Sequence, residues 1–377
     1  MITEDPYKSL NPPIYPSAVY LFDSIEELID FVSSKEKRRF EYGRYGNPTN
    51  SYLELLIAQL EKAESAYVVS SGMSACTIPL LTFLDSGDHV ILTSDMYLKT
   101  RNFIEKTLSK FNIQSTVVFP SNEEILGAIR PNTKIVFSEL PTNPFYYVID
   151  LKPLSEELKK RNILLFIDST LASPINCRPL EYGADLVIHS LTKYFSGQND
   201  CIAGAIAGSK QLIEKIREFN GAIGAILPAE LSYKIFGSTK TMALRMDYHN
   251  KTTLEIADFL SKHPKIKRVY YPLHPSHPHY EIAKKYLKGG GCLLTIELDG
   301  NLESLKRFCN SCKIFKIGPS FASYESLFDP PYIMSHWDVP DEERKKMNIF
   351  EYTLRISIGL ENKEDLMQDL DQALKKI

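Results

Sequence analysis

The sequence predicts an α/β protein: a mainly parallel sheet covered by helices, followed by a smaller C-terminal α/β domain. Three observations lead there. From about residue 65 to 208, short apolar runs alternate with helical stretches, the pattern of βα units. Two of those runs, ILLFIDST (163–170) and DLVIHSLTKYF (185–195), stop abruptly at polar residues, as buried strands do where they deliver side chains at their carboxyl ends. After residue 208 the pattern turns helical, and strand-like runs return only at GGGCLLTIELDG and YTLRISIGL. The chain divides on this reading into an N-terminal arm and loop at 1–45, a main domain at 46–245 and a C-terminal domain at 246–377.

The arm begins with the proline-rich NPPIYPSAVYLF, after which Asp23 or Ser24 is placed to cap the short helix SIEELIDFVSS. Such an arm has little core of its own and is expected to lie across a partner or the main domain. In FEYGRYGNPTN, two glycines and Asn-Pro mark a loop that carries Tyr42 and Arg44, with Thr49 or Asn50 capping the amphipathic helix beyond it. AYVVSSGMSACTIPLLTFL reads strand, tight turn, helix. Ser70, Ser71 and Gly72 fall at the helix start, where free amides and the helix dipole favour an anion and glycine permits its close approach; the same S-S-G also serves as an ordinary capping turn. DHVILTSDMYLKTRNFIEKTL repeats the theme, with Tyr97 just past the strand end, either to stack on a ring or to pack structurally. STVVFP and KIVFSELPTNP add two strands, the second ending in Glu139, Thr142 and Asn143. ENKEDLMQDLDQALKKI closes the chain as an amphipathic helix, acidic first and basic last, as the dipole prefers.

The two abrupt strand ends carry the chemistry. The first delivers Asp168, Ser169 and Thr170; the second delivers His189, Ser190, Thr192 and Lys193. An aspartate and a lysine at neighbouring strand ends suit pyridoxal phosphate, whose aldehyde condenses with an amine and whose pyridine nitrogen is kept protonated by a carboxylate. Ser190 and Thr192 are placed to hold its phosphate. The bland alternative is a solvent-facing Asp and Lys of any α/β protein.

Composition narrows the class. A net charge of −3 with no basic run offers no nucleic-acid footprint, and no apolar stretch is long enough to cross a bilayer. The polar start MITEDPYKSL resembles neither a secretory signal nor a transit peptide. Six cysteines in 377 residues do not make a disulfide framework, which points to the cytoplasm. The lone Cys309-x-x-Cys312 lacks a second pair, and His274, His277 and His279 sit among prolines without a completing carboxylate, so no metal site is expected.

With these residues in view, the chain resembles the pyridoxal-phosphate enzymes of the cysteine/methionine transsulfuration group. EYGRYGNPT, SSGMSA, SELPTNP, IDST, HSLTKYFSG, PSHPHYEIAKK and YTLRISIGL occur in that group's order, across about residues 12 to 375. The resemblance implies the aminotransferase-like (fold type I) domain with a seven-stranded sheet, pyridoxal 5'-phosphate as cofactor, small amino-acid substrates, and a homotetramer assembled from dimers. It makes Lys193 the cofactor-binding amine, Asp168 the partner of the pyridine nitrogen and Tyr97 the ring-stacking residue. Ser71, Gly72, Met73, Ser190 and Thr192 fall at phosphate-binding positions, and Asn143 near the cofactor's phenolic oxygen. Tyr42 and Arg44 correspond to a pair that reaches the neighbouring subunit's phosphate. Arg355 and Ser320 fall on the substrate side, where a planar guanidinium suits an α-carboxylate.

Within the group, DMYLKTRNFIEKTL and PSFASYESLFDPPYIMSHWDVPDEERKKMNI look most like plant-type cystathionine γ-synthases. Two small glycines usually follow the tyrosine; here Leu98 and Lys99 replace them, and the Lys99 ammonium would favour a phosphate leaving group. Glu325 corresponds to a glutamate of γ-synthase and γ-lyase members. Ala322-Ser323 and Phe236 depart from the usual Gly-Gly and arginine. The expected reaction is γ-replacement on O-phospho-, O-acetyl- or O-succinylhomoserine with cysteine to give cystathionine. γ-Elimination is the alternative, and a catalytically silent scaffold a remote third.

Overall fold

The computed structural model describes residues 8–33 and 40–377. Residues 1–7 of the arm, and Ser34 at the end of its expected helix, lie outside the described residues. Helix α1 (Ile25–Ser33) is capped by Ser24, whose Oγ accepts from the Glu27 amide at 3.1 Å. Helix α2 (Pro48–Glu61) is capped by Asn47 rather than by Thr49 or Asn50. The Asn47 Oδ1 accepts from the Thr49 amide at 2.8 Å, and Pro48 takes the first helical position, where its missing N–H costs nothing.

Seven strands form the large sheet: β1 (Ser65–Val69), β2 (His89–Thr93), β3 (Gln114–Val118), β4 (Thr133–Glu139), β5 (Leu164–Asp168), β6 (Leu186–Ser190) and β7 (Gly204–Gly208). Their spatial order is β1-β7-β6-β5-β4-β2-β3. The four pairings among β2 to β6 are parallel, and both pairings of β7 are antiparallel. Because β2, β4, β5 and β6 run the same way, their carboxyl ends line one edge, where an open α/β sheet places its ligands. Apolar clusters cover both faces, which is why these strands read as continuous apolar runs instead of alternating ones.

Helix α3 (Gly72–Phe83) follows β1 and packs tightly against β6 and β7. A Cβ on Gly204 would sit 2.2 Å from the Ser71 carbonyl oxygen, so only glycine lets β7 approach the α3 start. After β2 the expected helix is a composite: α4 (Leu98–Asn102), a π-helical turn at Phe103–Thr107 and a 3₁₀ turn at Leu108–Phe111.

The helix Met242–Ser261 leads from the large sheet to a second one, of order β10-β11-β12-β9-β8. Its strands are β8 (Ile266–Tyr270), β9 (Leu293–Leu298), β10 (Lys316–Ile317), β11 (Leu327–Asp329) and β12 (Thr353–Ser357). Sequence reading found β9 and β12 but not β8, β10 and β11, which are short or interrupted by charge. The helices Leu302–Ser311 and Lys363–Leu374 cover this sheet through Leu305, Phe308, Leu366 and Leu370. A shared cluster including Tyr194, Phe195, Cys292 and Phe321 packs the two sheets' layers together. No helix among the described residues is long and apolar enough to cross a membrane.

Candidate active site

Lys193 lies in the turn after β6. Its Nζ donates to Ser320 Oγ at 2.7 Å, and that hydroxyl donates to Asn199 Oδ1 at 2.7 Å. The ammonium also lies 4.8 Å from the centre of the Phe321 ring. Burial, helped by the Arg355 charge, lowers the Lys193 amine to about 8, so a minor but appreciable fraction of it is neutral near physiological pH, far more than for an ordinary lysine. Ser320 and Ala322 hold positive φ values of 93° and 68°, a strained backbone for side-chain-bearing residues, at the loop that meets the lysine.

Asp168 ends β5 beside it. One oxygen accepts from both the amide and the hydroxyl of Thr170, the amide at 3.0 Å; the other faces the Cys76 thiol at 3.6 Å. Thr170 Oγ1 in turn accepts from the Ser190 amide at 2.8 Å, tying the ends of β5 and β6. Desolvation raises the Asp168 carboxyl, while Thr170, His189 and Cys76 pull it back towards the ionised form. His189, on the opposite strand face from Ser190, pairs with Glu61 at 2.6 Å, both fully buried.

At the start of α3, Ser71 Oγ accepts from the Ser74 amide at 3.0 Å, leaving the earlier amides aimed off the helix end. A Cβ on Gly72 would lie 2.8 Å from Ser190 Cβ, so the turn and the β6 end are a cradle only glycine allows. Thr192 Oγ1 accepts from the Ala203 amide at 3.2 Å, and Met73 Sδ accepts from Thr100 Oγ1 at 3.6 Å. Tyr97 precedes α4; its amide donates to Glu139 Oε1 at 2.6 Å and its ring is 49% exposed, free to cover a ligand. Lys99 is exposed on the first turn of α4.

Arg355 on β12 lies close enough for its charge to act on the Lys193 amine. Its Nη1 donates to Asn143 Oδ1 at 3.1 Å, its Nη2 pairs with Asp329, and its Nε is buried without a partner among the described residues. Glu325 is half-buried in the loop before β11, where its carboxylate accepts from Ser323 Oγ at 3.2 Å. Arg44 donates to the Gly221 carbonyl and lies over the Tyr45 ring at 4.7 Å and the Tyr42 ring at 5.6 Å, on the arm side of the molecule.

The structure therefore links Lys193 to Ser320 and Arg355 to Asn143, sets Arg355 close enough to act on the Lys193 amine, and joins Asp168, Ser190, Ser71 and Gly72 at neighbouring strand ends, with Tyr97 and Lys99 following β2 on the same strand-end edge. Asp329, Asn199 and Cys76 went unseen as site residues in the sequence. The first two contact side chains far along the chain, and Cys76 stands alone in an apolar helical stretch. His277 and His279 are spent on the Phe145 and Val148 backbone, and among the described residues no cluster that could hold a metal occurs. A nucleophilic amine, a fixed carboxylate and a glycine-lined helix start are the donors that pyridoxal phosphate requires, and these residues fit it.

Comparison with known proteins agrees. The model of the family described as Cys/Met metabolism PLP-dependent enzyme matches residues 2–375. Cystathionine gamma-synthase 1, chloroplastic, of Arabidopsis thaliana is 44% identical over 373 residues, 98% of this chain and 66% of that protein. The chain thus spans just under two thirds of that plant relative's length. L-methionine gamma-lyase of Fusobacterium nucleatum subsp. polymorphum is 39% identical over 375 residues, 98% of this chain and 95% of that protein. The crystal structure of metB from Corynebacterium glutamicum superposes with a TM-score of 0.92 at 35% identity, covering 99% of this chain and 94% of that one. Sequence, fold and site geometry agree, and the chain belongs to the Cys/Met-metabolism family of enzymes that depend on pyridoxal phosphate.

Proposed function

We propose that this protein joins the four-carbon chain of an activated homoserine to the sulfur of cysteine, giving cystathionine, with O-phosphohomoserine as the preferred donor. The observation that carries the reading is the exposed Lys99 ammonium on the first turn of α4, two residues after Tyr97 and within a chain 44% identical to a plant cystathionine gamma-synthase. γ-Elimination is the second reading, favoured by 39% identity to a methionine gamma-lyase along nearly all of both chains.

Pyridoxal phosphate, when bound, supplies a carbonyl that condenses with an amine and a ring that accepts electrons from the substrate. Lys193 would hold it and, once displaced by the substrate amine, take the proton from Cα; an amine lowered to about 8 suits a base that must also give the proton back. Asp168 would face the ring nitrogen, with Thr170 and Cys76 orienting its oxygens. Ser71, Gly72, Met73, Ser190 and Thr192 would take the phosphate, and Tyr97 would cover the ring. Asn143 and Ser320 would border the reacting atoms. Arg355, pre-aligned by Asn143 and Asp329, would bind the α-carboxylate. Lys99 would stabilise the departing phosphate as the Cγ–O bond breaks, once a proton has left Cβ as well as Cα; the cysteine sulfur would then bond to Cγ, its thiol proton being released and protons returning to Cβ and Cα. Glu325 would receive the ammonium of the incoming cysteine.

We further propose a homotetramer, a dimer of dimers in which Tyr42 and Arg44 complete the neighbour's phosphate site. Helix α1 buries none of its residues and exposes Ile25, Ile29 and Val32, an apolar face that asks for cover. The arm at 1–45, a cofactor domain at 46–245 and a C-terminal domain at 246–377, in the cytoplasm, complete the reading. The boundary falls within the helix Met242–Ser261, and all six thiols are free, as in a reducing compartment.

The test is product analysis with purified enzyme and pyridoxal phosphate, offering O-phospho-, O-acetyl- and O-succinylhomoserine and cystathionine, each with and without cysteine. Cystathionine formed fastest from the phosphate ester is the expected result. Consumption of cystathionine to cysteine and 2-oxobutanoate, without its synthesis, would replace the synthase reading with the lyase one.

A further inference from the structure

Glu139 and Asp168 stand opposite each other in the register of parallel strands β4 and β5, so their side chains leave the same face of the sheet on strands about 5 Å apart. Two carboxylates that close cannot both ionise without large cost, and their surroundings decide which one keeps the charge. Asp168 has three donors: the Thr170 amide, the Thr170 hydroxyl and the Cys76 thiol. Among the described residues Glu139 has one, the Tyr97 amide on Oε1, while Oε2 is buried with no partner. The strongest charged influences on Glu139 are Asp168 on β5, Asp95 after β2 and Arg355 on β12, with the Cys76 thiol of α3 also near it. Of these charged groups Arg355 favours a negative Glu139, and it is already paired with Asp329.

We infer that Glu139 is a neutral carboxylic acid near neutral pH, a positioning residue that holds the Tyr97 backbone through Oε1 and leaves the pair's single negative charge on Asp168. A sealed O–H on Oε2 costs far less than a sealed, half-solvated charge. The push on Glu139 is in the same direction: burial and the Asp168 charge raise it well above the carboxylate range. The consequence for the ring site, that Tyr97 is held without a second anion beside Asp168, rests on the function proposed above. The protonation itself does not.

The experiment is infrared spectroscopy of the full-length chain freed of cofactor, at pH 7, comparing wild type with Glu139→Gln, each with and without ¹³C in the glutamate carboxyl groups. A carboxylic-acid C=O band that vanishes in E139Q and carries the glutamate isotope shift is expected. No such band, or one lost in E139Q without the shift, puts the proton elsewhere and overturns the inference. Pyridoxal phosphate affinity gives the positioning readout: E139Q, which keeps an acceptor for the Tyr97 amide and is already neutral, should stay within about twofold of wild type. Glu139→Ala should bind about tenfold more weakly, the loss of one buried hydrogen bond. An E139Q as weak as E139A would mean that a charge, not an acceptor, is what the site uses. A failure of synthase activity with the isotope band present would leave this inference standing and overturn only the proposed reaction.

Discussion

Arg355 and Asp329 are register partners across antiparallel β12 and β11, and the guanidinium donates to that carboxylate while Asn143 holds its other arm. In its proposed role the guanidinium is thus oriented before any substrate arrives, with the entropy of a long side chain already lost. Asp329→Ala should raise KM for every amino-acid substrate about tenfold and leave kcat within about threefold. Steady-state kinetics across two donors checks it; a fall confined to kcat would contradict a ground-state carboxylate clamp.

Lys193 titrates near 8 instead of its ordinary 10.5 because it is desolvated beside Arg355. The neutral amine is the nucleophile, and a lowered value makes it available earlier as pH rises. Uptake of pyridoxal phosphate by the cofactor-free chain should therefore accelerate with pH and level off above about 8. Stopped-flow absorbance reads this directly. A rate still climbing tenfold per pH unit at pH 9 would mean that the amine is not depressed, and Lys193→Ala should show no slow covalent phase at all.

Gly72 faces Ser190 across a gap that leaves no room for a Cβ. Gly72→Ala should push the α3 start away from β6 and weaken cofactor binding roughly tenfold. Adding Ser190→Gly, which removes the clashing atom, should recover part of that loss despite deleting a hydroxyl. Equilibrium dialysis of the two variants decides the matter, since strictly additive losses would rule out the steric account.

His249 and His277 are buried, and burial lowers each ring to about 4 from an ordinary 6.5. The unfolded chain then binds more protons than the folded one between those values. Stability is complete above pH 6.5 and is lost as pH falls towards 4, by at most about 3 kcal/mol per ring. His277→Gln, which keeps a donor for the Phe145 carbonyl, should flatten the fall in denaturation midpoint between pH 6.5 and 4. An unchanged slope would assign the acid sensitivity to other groups.

Lys99→Ala should cut kcat/KM for O-phosphohomoserine by about tenfold or more while changing the acetyl and succinyl esters about twofold, the difference being one charge-assisted contact. Equal losses on all three donors would remove the phosphate argument.

Much of the candidate site is legible because it is local. A strand that ends in Asp168, a strand that delivers Ser190 and Lys193, and a glycine at the start of a capped helix are each written in a few consecutive residues. Even there, the α2 cap moved from Thr49 or Asn50 to Asn47, since the proline at the first helical position selects the residue before it.

The sequence by itself determined the βα alternation, the carboxyl-end placement of the chemistry and the family motifs in their order, because short-range periodicity and turn chemistry set all of these. Only the tertiary structure decided that β7 lies antiparallel between β1 and β6, that Asp329 pairs with Arg355, that Cys76 faces Asp168, and that Glu139 and Asp168 stand side by side. Those relationships join residues far apart in the chain. They depend on strand order and register, which the packing of whole layers fixes and no local stretch encodes.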